Sequence, residues 1–407
     1  TLVSAAPPRP PTPGRRRSGL LPDSNWFSPH SKHHSRIADR GGWARPRRSG
    51  QRPSHTGIVR NVHLIALALS CAIPTEPDPA WGIEVLRQIR TEYALEGPPG
   101  YREALGEKPQ PLFNWGVGVL MSAMNGAARI DPAWRKDLRE FVEATRAYWN
   151  EAGPVAGYDV LPMPKPADRY YDDNAWMVLA LVEASDILGD KKMLGYGEAA
   201  LRYVLSGEDE KLGGGIYWRE SEQKSKNTCS NAPAAAACLA VYAKTKNPTL
   251  LAKAKGFYAW TKKRLQDPSD SLYWDSISLD GKIDKTKWSY NTGLMIRTAA
   301  ELGRWTKDEA YTREAKALAA ASEKRWLVDG RLADEGKFAH LLLEAWTFVP
   351  DADRQTKARA ALVWLWKHGR AENGWFSPRF DRAPEPGQRV FPLIDQASAA
   401  RAFLVAR

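Results

Sequence analysis

The fold of this chain is constrained most strongly by six clusters of polar and aromatic residues. One cluster lies at the start of every second predicted helix. Between the residues that mark successive clusters, the steps are 58, 56, 62, 46 and 59 residues. A nearly constant period of helix pairs is typical of a repeat architecture. The marker residues are Asn114, Asp172, Thr228, Tyr290, Gly336 and Asp395.

The helices themselves are predicted from apolar periodicity. Odd-numbered helices are amphipathic, whereas even-numbered ones are rich in Ala, Gly and bulky apolar residues, as expected of buried helices. Six such pairs predict an all-α (α/α)6 toroid of twelve helices with the even helices inside. The inner helices then all begin at one face, where free N–H groups and the clusters converge on a single cleft. The predicted spans are 81–96, 113–128, 132–150, 172–188, 191–206, 228–245, 248–266, 289–304, 308–325, 337–348, 352–369 and 394–406.

The first 74 residues differ from the rest in composition. Residues 1–58 are rich in Pro, Arg, Ser and His without apolar periodicity, which predicts disorder and also fits sequence that is not natively translated. Residues 59–74 have the basic start, apolar core and small-residue end of a signal peptide. The run ending at Cys71 also resembles a lipoprotein attachment box. We therefore expect a protein that is secreted or lipid-anchored at the cell surface or in the periplasm, with no integral membrane span and with its folded domain at 75–407.

The charge distribution excludes a nucleic-acid partner. The chain has a formal charge of +12, but residues 1–74 hold twelve Lys and Arg against two Asp, which leaves +2 for the rest. Only His340 and His368 of the seven histidines lie beyond that segment, and neither has a partner at metal-ligand spacing. We expect no metal site, no cofactor and no serine triad. The sequence does not determine the oligomeric state, although a monomer is favoured.

The second cluster, Tyr170 to Trp176, places two adjacent carboxylates at the start of the fourth predicted helix, which is apolar on every side. One Asp is explained by helix capping, but a pair is not. The carboxyl groups of neighbouring residues can lie about 5 Å apart, the separation used by a retaining glycosidase. Aromatic residues around a carboxylate pair favour a sugar site.

Four motifs occur in order along the body of the chain, from the run at Tyr171 to Trp176 to the pair Tyr290-Asn291 with Gly293. With these motifs, residues 80–407 resemble glycoside hydrolase family 76, the endo-α-1,6-mannanase family. The resemblance implies one (α/α)6 catalytic domain that cleaves α-1,6-mannosidic bonds of mannan-type polysaccharide or oligosaccharide with retention. It also implies that Asp172 is the nucleophile and Asp173 the general acid/base. The sequence departs from the family at Thr292, where Gln is expected, and in the charged segment 219–224. The motifs that carry the resemblance are Tyr171-Asp172-Asp173-Asn174-Ala175-Trp176, Gly214-Gly215-Ile216-Tyr217-Trp218, Lys226-Asn227 with Ser230-Asn231, and Tyr290-Asn291 with Gly293.

Candidate substrate-binding residues come from the same clusters, because sugars offer apolar faces for stacking and hydroxyls for hydrogen bonds. The stacking candidates are Trp115, Tyr171, Trp218, Trp288 and Tyr290, and the hydrogen-bonding candidates are Asn114, Asn227, Asn291 and Asp334.

Other functions stay open from the sequence. The same site could transfer the glycosyl group to another sugar, and a toroid can bind glycans without catalysis. A toroidal glycosidase acting on unsaturated uronides would need basic residues in the cleft, for which Arg219, Lys226 and Lys337 are candidates. Prenyltransferases and terpene cyclases share the toroid, but the zinc or aspartate-rich metal motifs they need are not found.

Overall fold

The computed structural model describes residues 76–164 and 166–406. The predictions for residues 1–58 and 59–74, including Cys71, lie outside this range. Within it the chain forms twelve α-helices, and each corresponds to a predicted one. They are α1 (Pro79–Glu92), α2 (Asn114–Ile130), α3 (Trp134–Ala144), α4 (Tyr171–Leu188), α5 (Lys191–Ser206), α6 (Thr228–Thr245), α7 (Pro248–Leu265), α8 (Ser289–Thr306), α9 (Glu309–Trp326), α10 (Gly336–Thr347), α11 (Ala352–His368) and α12 (Leu393–Val405).

The even-numbered helices form a closed ring. Each contacts the next, from α2 through α4, α6, α8 and α10 to α12, and α12 contacts α2 again. Outer helices pack on this ring, with α5 on α4, α7 on α6, α9 on α8 and α1 on α12. Inner helices are buried on all sides, as in α6, where every residue from Thr228 to Leu239 is buried. This ring confirms the predicted all-α (α/α)6 toroid.

Small residues set how closely the inner helices approach. A Cβ at Gly118 of α2 would lie 3.2 Å from the Cβ of Trp176 on α4. A Cβ at Gly293 of α8 would lie 3.1 Å from the Cα of Leu342 on α10. Any side chain at these positions would push neighbouring helices apart, since packed interiors leave little free volume.

The third helix is shorter than predicted. The sequence predicts a helix over 132–150, but α3 ends at Ala144, a single 3-10 turn follows, and Trp149 and Asn150 are extended. These two residues pair with Tyr158 and Gly157 in an antiparallel hairpin. The hairpin satisfies the backbone groups that a longer helix would have paired internally, so the helical pattern stops early.

Between the helices, the described residues form nine strands of two or three residues each. They form four small antiparallel sheets: β1 with β9, β2 with β3, β4 with β5 and β6, and β7 with β8. The pairing of β1 with β9 joins the first connection to the last. The strands are β1 (Ala104–Leu105), β2 (Trp149–Asn150), β3 (Gly157–Tyr158), β4 (Ser225–Asn227), β5 (Ser276–Ser278), β6 (Ile283–Asp284), β7 (Leu327–Val328), β8 (Arg331–Leu332) and β9 (Phe391–Pro392).

Inner and outer helices begin differently. Five of the six outer helices have an Asp or Asn side chain that accepts a hydrogen bond from the first turn, which is the ordinary capping interaction. None of the six inner helices has a side-chain cap of this kind.

Instead, the first N–H of each inner helix donates to the segment that precedes the next inner helix. We call this circle of six hydrogen bonds the mouth ring. Five acceptors are backbone carbonyls and one is a carboxylate. The bonds run from Asn114 to Val160 (3.1 Å), Tyr171 to Trp218 (3.0 Å), Thr228 to Asp275 (2.8 Å), Ser289 to Asp334 (2.8 Å), Gly336 to Pro378 (2.7 Å) and Leu393 to Glu103 (2.8 Å).

A second set of bonds fixes the connections to the inner helices. In α4, the Asn174 amide binds both the N–H and the C=O of Tyr158, at 2.7 and 2.9 Å. Asn231 of α6 binds Ile216 in the same way, and Gln396 of α12 binds Phe376. All three amides occupy the fourth position of their helix. They are therefore structural parts of the motifs.

No helix among the described residues has both the length and the apolar character needed to cross a bilayer.

Candidate active site

Asp172 and Asp173 lie in the first turn of α4, at the mouth where all six inner helices begin. Asp172 is partly exposed and Asp173 is 9% exposed. Asp172 accepts two hydrogen bonds at different oxygens. Its Oδ1 accepts the backbone N–H of Asp173 at 3.0 Å, and its Oδ2 accepts the indole N–H of Trp218 at 3.1 Å. Both bonds stabilise the ionised carboxylate.

The two carboxyl groups differ in their electrostatic surroundings. Burial raises the pKa of Asp172 to about 6, and hydrogen bonds from the Cys229 thiol, the Asp173 N–H and Trp218 oppose that rise. Burial also raises the pKa of Asp173 well above its ordinary value, and the negative charges of Asp172, Asp168 and Glu103 add to the rise. Hydrogen bonds thus favour the anion of Asp172 against the effect of burial, while the surroundings of Asp173 favour its protonated form. Two neighbouring carboxyls in different protonation states can supply an acid and a nucleophile.

Further carboxyl groups lie around the cleft. Burial raises the pKa of each of Glu103, Asp275 and Asp395 to about 7. Asp395 opens α12 and belongs to a cluster marked in the sequence. Glu103 and Asp275 lie in connections that carry no distinguishing motif, so they are not among the residues predicted from the sequence. The negative charge of Glu103 raises the pKa of Asp173, and that of Asp172 raises the pKa of Asp275.

Three predicted aromatic residues gather around Phe338 of α10. The ring centroids of Trp115, Trp288 and Tyr290 lie 5.9, 4.9 and 4.6 Å from that of Phe338. Trp115 and Trp288 are partly exposed at the mouth, whereas Tyr290 is buried and also contacts Trp176. Trp115 and Trp288 can therefore offer a surface for a sugar ring, and Tyr290 supports it from beneath.

The two remaining aromatic candidates occupy different environments. Trp218 is partly exposed beside Asp172 and meets Tyr170 edge to face at 5.2 Å. Tyr171, which is 2% exposed, lies in the core instead, where its ring stacks on Tyr203 at 5.0 Å and packs over Gly207. Because Tyr171 points away from the adjacent aspartates on the helix, the structure does not bring it into the cleft.

The predicted hydrogen-bonding residues are largely engaged in the fold. Asn227 directly precedes α6, and its Oδ1 accepts a bond from the Ser225 hydroxyl at 2.8 Å. Asp334 accepts from the N–H groups of Ser289 and Glu335, and so forms one link of the mouth ring. The structure brings all four candidates to the mouth, but it buries their side chains to different degrees.

Asn114 and Asn291 are fully buried. Asn291 approaches Asp275 with 3.5 Å between its Nδ2 and the carboxylate Oδ1. The amide of Asn114 has no hydrogen-bond partner among the described residues. A buried amide of that kind requires a polar partner, such as a water molecule.

The basic residues that would recognise a uronide carboxylate are paired within the protein. Lys226 is fully buried, and its ammonium contacts the Asp209 carboxylate at 2.5 Å and the carbonyls of Asp209, Lys211 and Gly214. Arg219 pairs with Asp168 and Glu222, and Lys337 pairs with Glu335. The cleft is therefore acidic and aromatic in character. In the part of the chain that the structure describes, no group of three or more His, Cys, Asp or Glu side chains is placed to hold a metal ion.

Comparison with known proteins agrees with this geometry. The profile of glycosyl hydrolase family 76 matches residues 91–340. Among solved structures, the GH76 α-mannanase BT2949 of Bacteroides thetaiotaomicron is 30% identical, with a TM-score of 0.77 over 81% of this chain and 95% of that one. An inactive variant of the α-1,6-mannanase GH76A of Salegentibacter sp. HEL1_6, in complex with α-1,6-mannotriose, is 22% identical, with a TM-score of 0.69 over 80% and 98% of the two chains.

A more distant structure has the same fold. Dfg5 from Chaetomium thermophilum, in complex with glucosamine, is 17% identical, with a TM-score of 0.62 over 80% of this chain and 89% of that one. No curated protein matches the chain significantly.

The closed helical ring and the family match place the chain among the toroidal glycoside hydrolases. Within that class it belongs to glycoside hydrolase family 76, as the sequence motifs predicted.

Proposed function

We propose that the protein is a retaining, endo-acting glycoside hydrolase that cleaves α-1,6-mannosidic bonds of mannan-type glycans. The observation that carries the proposal is the contrast within the aspartate pair. Asp172 receives hydrogen bonds from an indole and a backbone N–H, whereas Asp173 is surrounded by negative charge. Asp172 is therefore suited to be the nucleophile and Asp173 the general acid/base.

The reaction follows from these protonation states. Asp173 donates its proton to the glycosidic oxygen as the bond from that oxygen to the anomeric carbon breaks. Asp172 forms a bond to the same carbon, which gives a covalent glycosyl-enzyme. Asp173, now ionised, removes a proton from water, and the resulting attack releases Asp172 and the sugar with retained configuration.

The substrate class is supported by the relatives and by the cleft. The relative at 30% identity is an α-mannanase, and the Salegentibacter structure holds an α-1,6-mannotriose. In this chain, Trp115, Trp218 and Trp288 are partly exposed at the mouth and can stack on successive sugar rings. A polymeric substrate lies outside the cell, which fits the predicted secretion or lipid anchoring.

The test is incubation of the purified protein with linear α-1,6-mannan, with other glycans in parallel, while proton NMR follows the first anomer released. Shortening of the polymer with an α-configured first product is expected. A β-configured first product would exclude the covalent intermediate. Binding without cleavage would favour a glycan-binding toroid, and products longer than the starting oligosaccharide would favour a transglycosidase.

A further inference from the structure

A partly buried ion pair, between Arg169 and Glu220, lies on the two segments that carry Asp172 and Trp218. Arg169 precedes Asp172 by three residues, and Glu220 follows Trp218 by two. Their two segments run antiparallel, because Tyr171 N–H donates to the Trp218 carbonyl at 3.0 Å and Glu220 N–H donates to the Arg169 carbonyl at 2.9 Å. Asp172 and Trp218 therefore both lie on, or directly next to, this hydrogen-bonded pair of segments.

The geometry of the pair is bidentate. Arg169 is 5% exposed, and its Nε and Nη2 donate to the two carboxylate oxygens of Glu220 at 2.6 and 2.8 Å. Its Nη1 donates to the carbonyls of Asn150 and Val155. Parallel bonds of this type fix both the separation and the orientation of the two groups.

The guanidinium also packs on aromatic rings. Its Cζ lies 4.9 Å from the centre of the Tyr203 ring, which in turn stacks on Tyr171. Arg169 thus links three segments: the connection around residues 150–155, the start of α4, and residues 218–220. Such a side chain has very little freedom to adopt another position.

Trp218 connects this assembly to the chemistry. Its indole N–H bonds to Asp172 Oδ2, and that bond lowers the pKa of Asp172 against the effect of burial. The neighbouring Arg219 lies over the Trp218 ring at 5.6 Å and donates to the Tyr170 hydroxyl at 3.4 Å. A shift between the two segments would move the indole away from the carboxylate.

We propose that Arg169 and Glu220 form a positioning pair, which holds the Trp218 indole in hydrogen-bonding register with the carboxylate of Asp172. The inference rests on the proposed function only in treating Asp172 as the nucleophile. It also gives a role to the charged segment 219–224, which departs from the family pattern.

If Arg169 and Glu220 only stabilised the fold, a variant would lose stability without any change in the protonation of Asp172. Buried ion pairs often contribute little to net stability, yet removing one partner is costly because the other charge is left unpaired. Loss of stability in a variant is therefore uninformative. The test must follow the protonation of Asp172.

The informative variants are Glu220→Gln, Trp218→Phe and the double variant. The control is Glu344→Gln, because Arg401 is also 5% exposed and donates from Nε and Nη2 to one carboxylate oxygen of Glu344, at 3.1 and 2.9 Å. Glu344 lies in the C-terminal half of α10, away from the mouth. The readouts are the pH profile of kcat/KM on α-1,6-mannan oligosaccharides and the carbon-13 NMR titration of the Asp172 carboxyl.

In Glu220→Gln the acidic limb should move up by about one pH unit, the value of one lost hydrogen bond to a carboxylate. The kcat should fall on the order of tenfold to a hundredfold through misplacement of the nucleophile, with KM nearly unchanged. Trp218→Phe should shift the limb equally, and the double variant should shift it no further. Glu344→Gln should melt at a lower temperature without any shift.

A Glu220→Gln variant that melts earlier with an unmoved acidic limb would overturn the proposal, as would additive shifts in the double variant. If Glu220→Gln does not fold, Glu220→Asp keeps the charge, shortens the reach and should give a smaller shift in the same direction. If the wild-type protein does not cleave mannan, the NMR titration still decides. A raised Asp172 pKa in Glu220→Gln would support the positioning pair while the proposed function fails.

Discussion

The first backbone N–H of α8, at Ser289, donates a 2.8 Å hydrogen bond to the carboxylate of Asp334. The other five inner helices make the equivalent bond to a main-chain carbonyl. Asp334 therefore supplies with its side chain what the backbone supplies elsewhere in the mouth ring. This position gives Asp334, a predicted substrate-binding residue, a clear structural function.

Replacing Asp334 should accordingly affect stability more than substrate affinity. Asp334→Ala should lower the free energy of unfolding by about 2 kcal/mol, because one buried and one partly buried N–H group lose their acceptor. Asp334→Asn keeps an acceptor oxygen and should recover much of the loss. Urea unfolding and KM on mannan oligosaccharides measure the two effects. A large rise in KM with unchanged stability would show direct contact with the substrate.

The two aspartates should separate in their response to the leaving group. Asp172→Ala should abolish turnover of every glycoside, since no covalent intermediate can form. Asp173→Ala should lose about 10²–10⁴ in rate on mannan, whose sugar leaving group needs a proton, but much less on an aryl mannoside with a good leaving group.

Azide provides the check on that assignment. Added to Asp173→Ala, it should accelerate turnover and give a mannosyl azide of retained configuration, because a small anion needs no general base. An azide product of inverted configuration from Asp173→Ala, or one of retained configuration from Asp172→Ala, would show that the roles are exchanged.

Activity should depend on pH through the aspartate pair and Glu103. Asp172 must be ionised, so kcat/KM should fall as the pH drops below about 6, the value to which burial raises its pKa. Asp173 must be protonated, so the alkaline limb reports its raised pKa. Because the negative charge of Glu103 contributes to that rise, Glu103→Gln should move the alkaline limb down by about one pH unit.

The exposed Glu107 offers a control for this experiment. Glu107→Gln should leave the alkaline limb where it is, because solvent screens an exposed charge. Equal shifts in both variants would mean that the overall charge of the cleft matters, and that Glu103 has no particular role.

Replacing Lys226 should lower the stability of the fold without changing the preference for charged or neutral substrates. Its ammonium satisfies one carboxylate and three carbonyls, so Lys226→Met should cost about 3 kcal/mol of stability. The exposed Lys211 is the control, and Lys211→Met should leave the melting temperature nearly unchanged. A stable Lys226→Met protein that loses activity on one charged glycan alone would instead support uronide recognition.

The toroid could be predicted because its signal is repeated six times and each inner helix is apolar all round. The early end of α3 could not be predicted, because a two-residue strand such as Trp149–Asn150 is too short to show an alternating pattern. Thr292 shows that a position in a family motif can have a structural function. It occupies in α8 the position of Asn174 in α4 and Gln396 in α12, and its hydroxyl accepts the N–H of Tyr273. The departure at Thr292 therefore concerns how a connection is held in place.

The aspartate pair was visible as a motif, but its electrostatic partners were not. Glu103 and Asp275 reach the cleft because β1 pairs with β9 and β5 pairs with β4, which are contacts between distant parts of the chain. Tyr171 is the opposite case: its motif predicts a place in the cleft, but the helix directs its ring toward α5. Only packing against Tyr203 reveals that direction.

Because of the mouth ring, the structure depends on which helical hairpins are neighbours in space more than on their order along the chain. Each inner helix is tied to the hairpin after it, and the link from Leu393 to Glu103 joins the last to the first in the same way as the other five. Gly82 near the start of α1 packs against Leu404 near the end of α12, so the described chain ends lie side by side. Joining them and cutting the chain in an exposed connection should yield a circularly permuted protein with an unchanged cleft. The toroid is a circle in its bonding as well as in its shape, and the position at which the chain opens it is arbitrary.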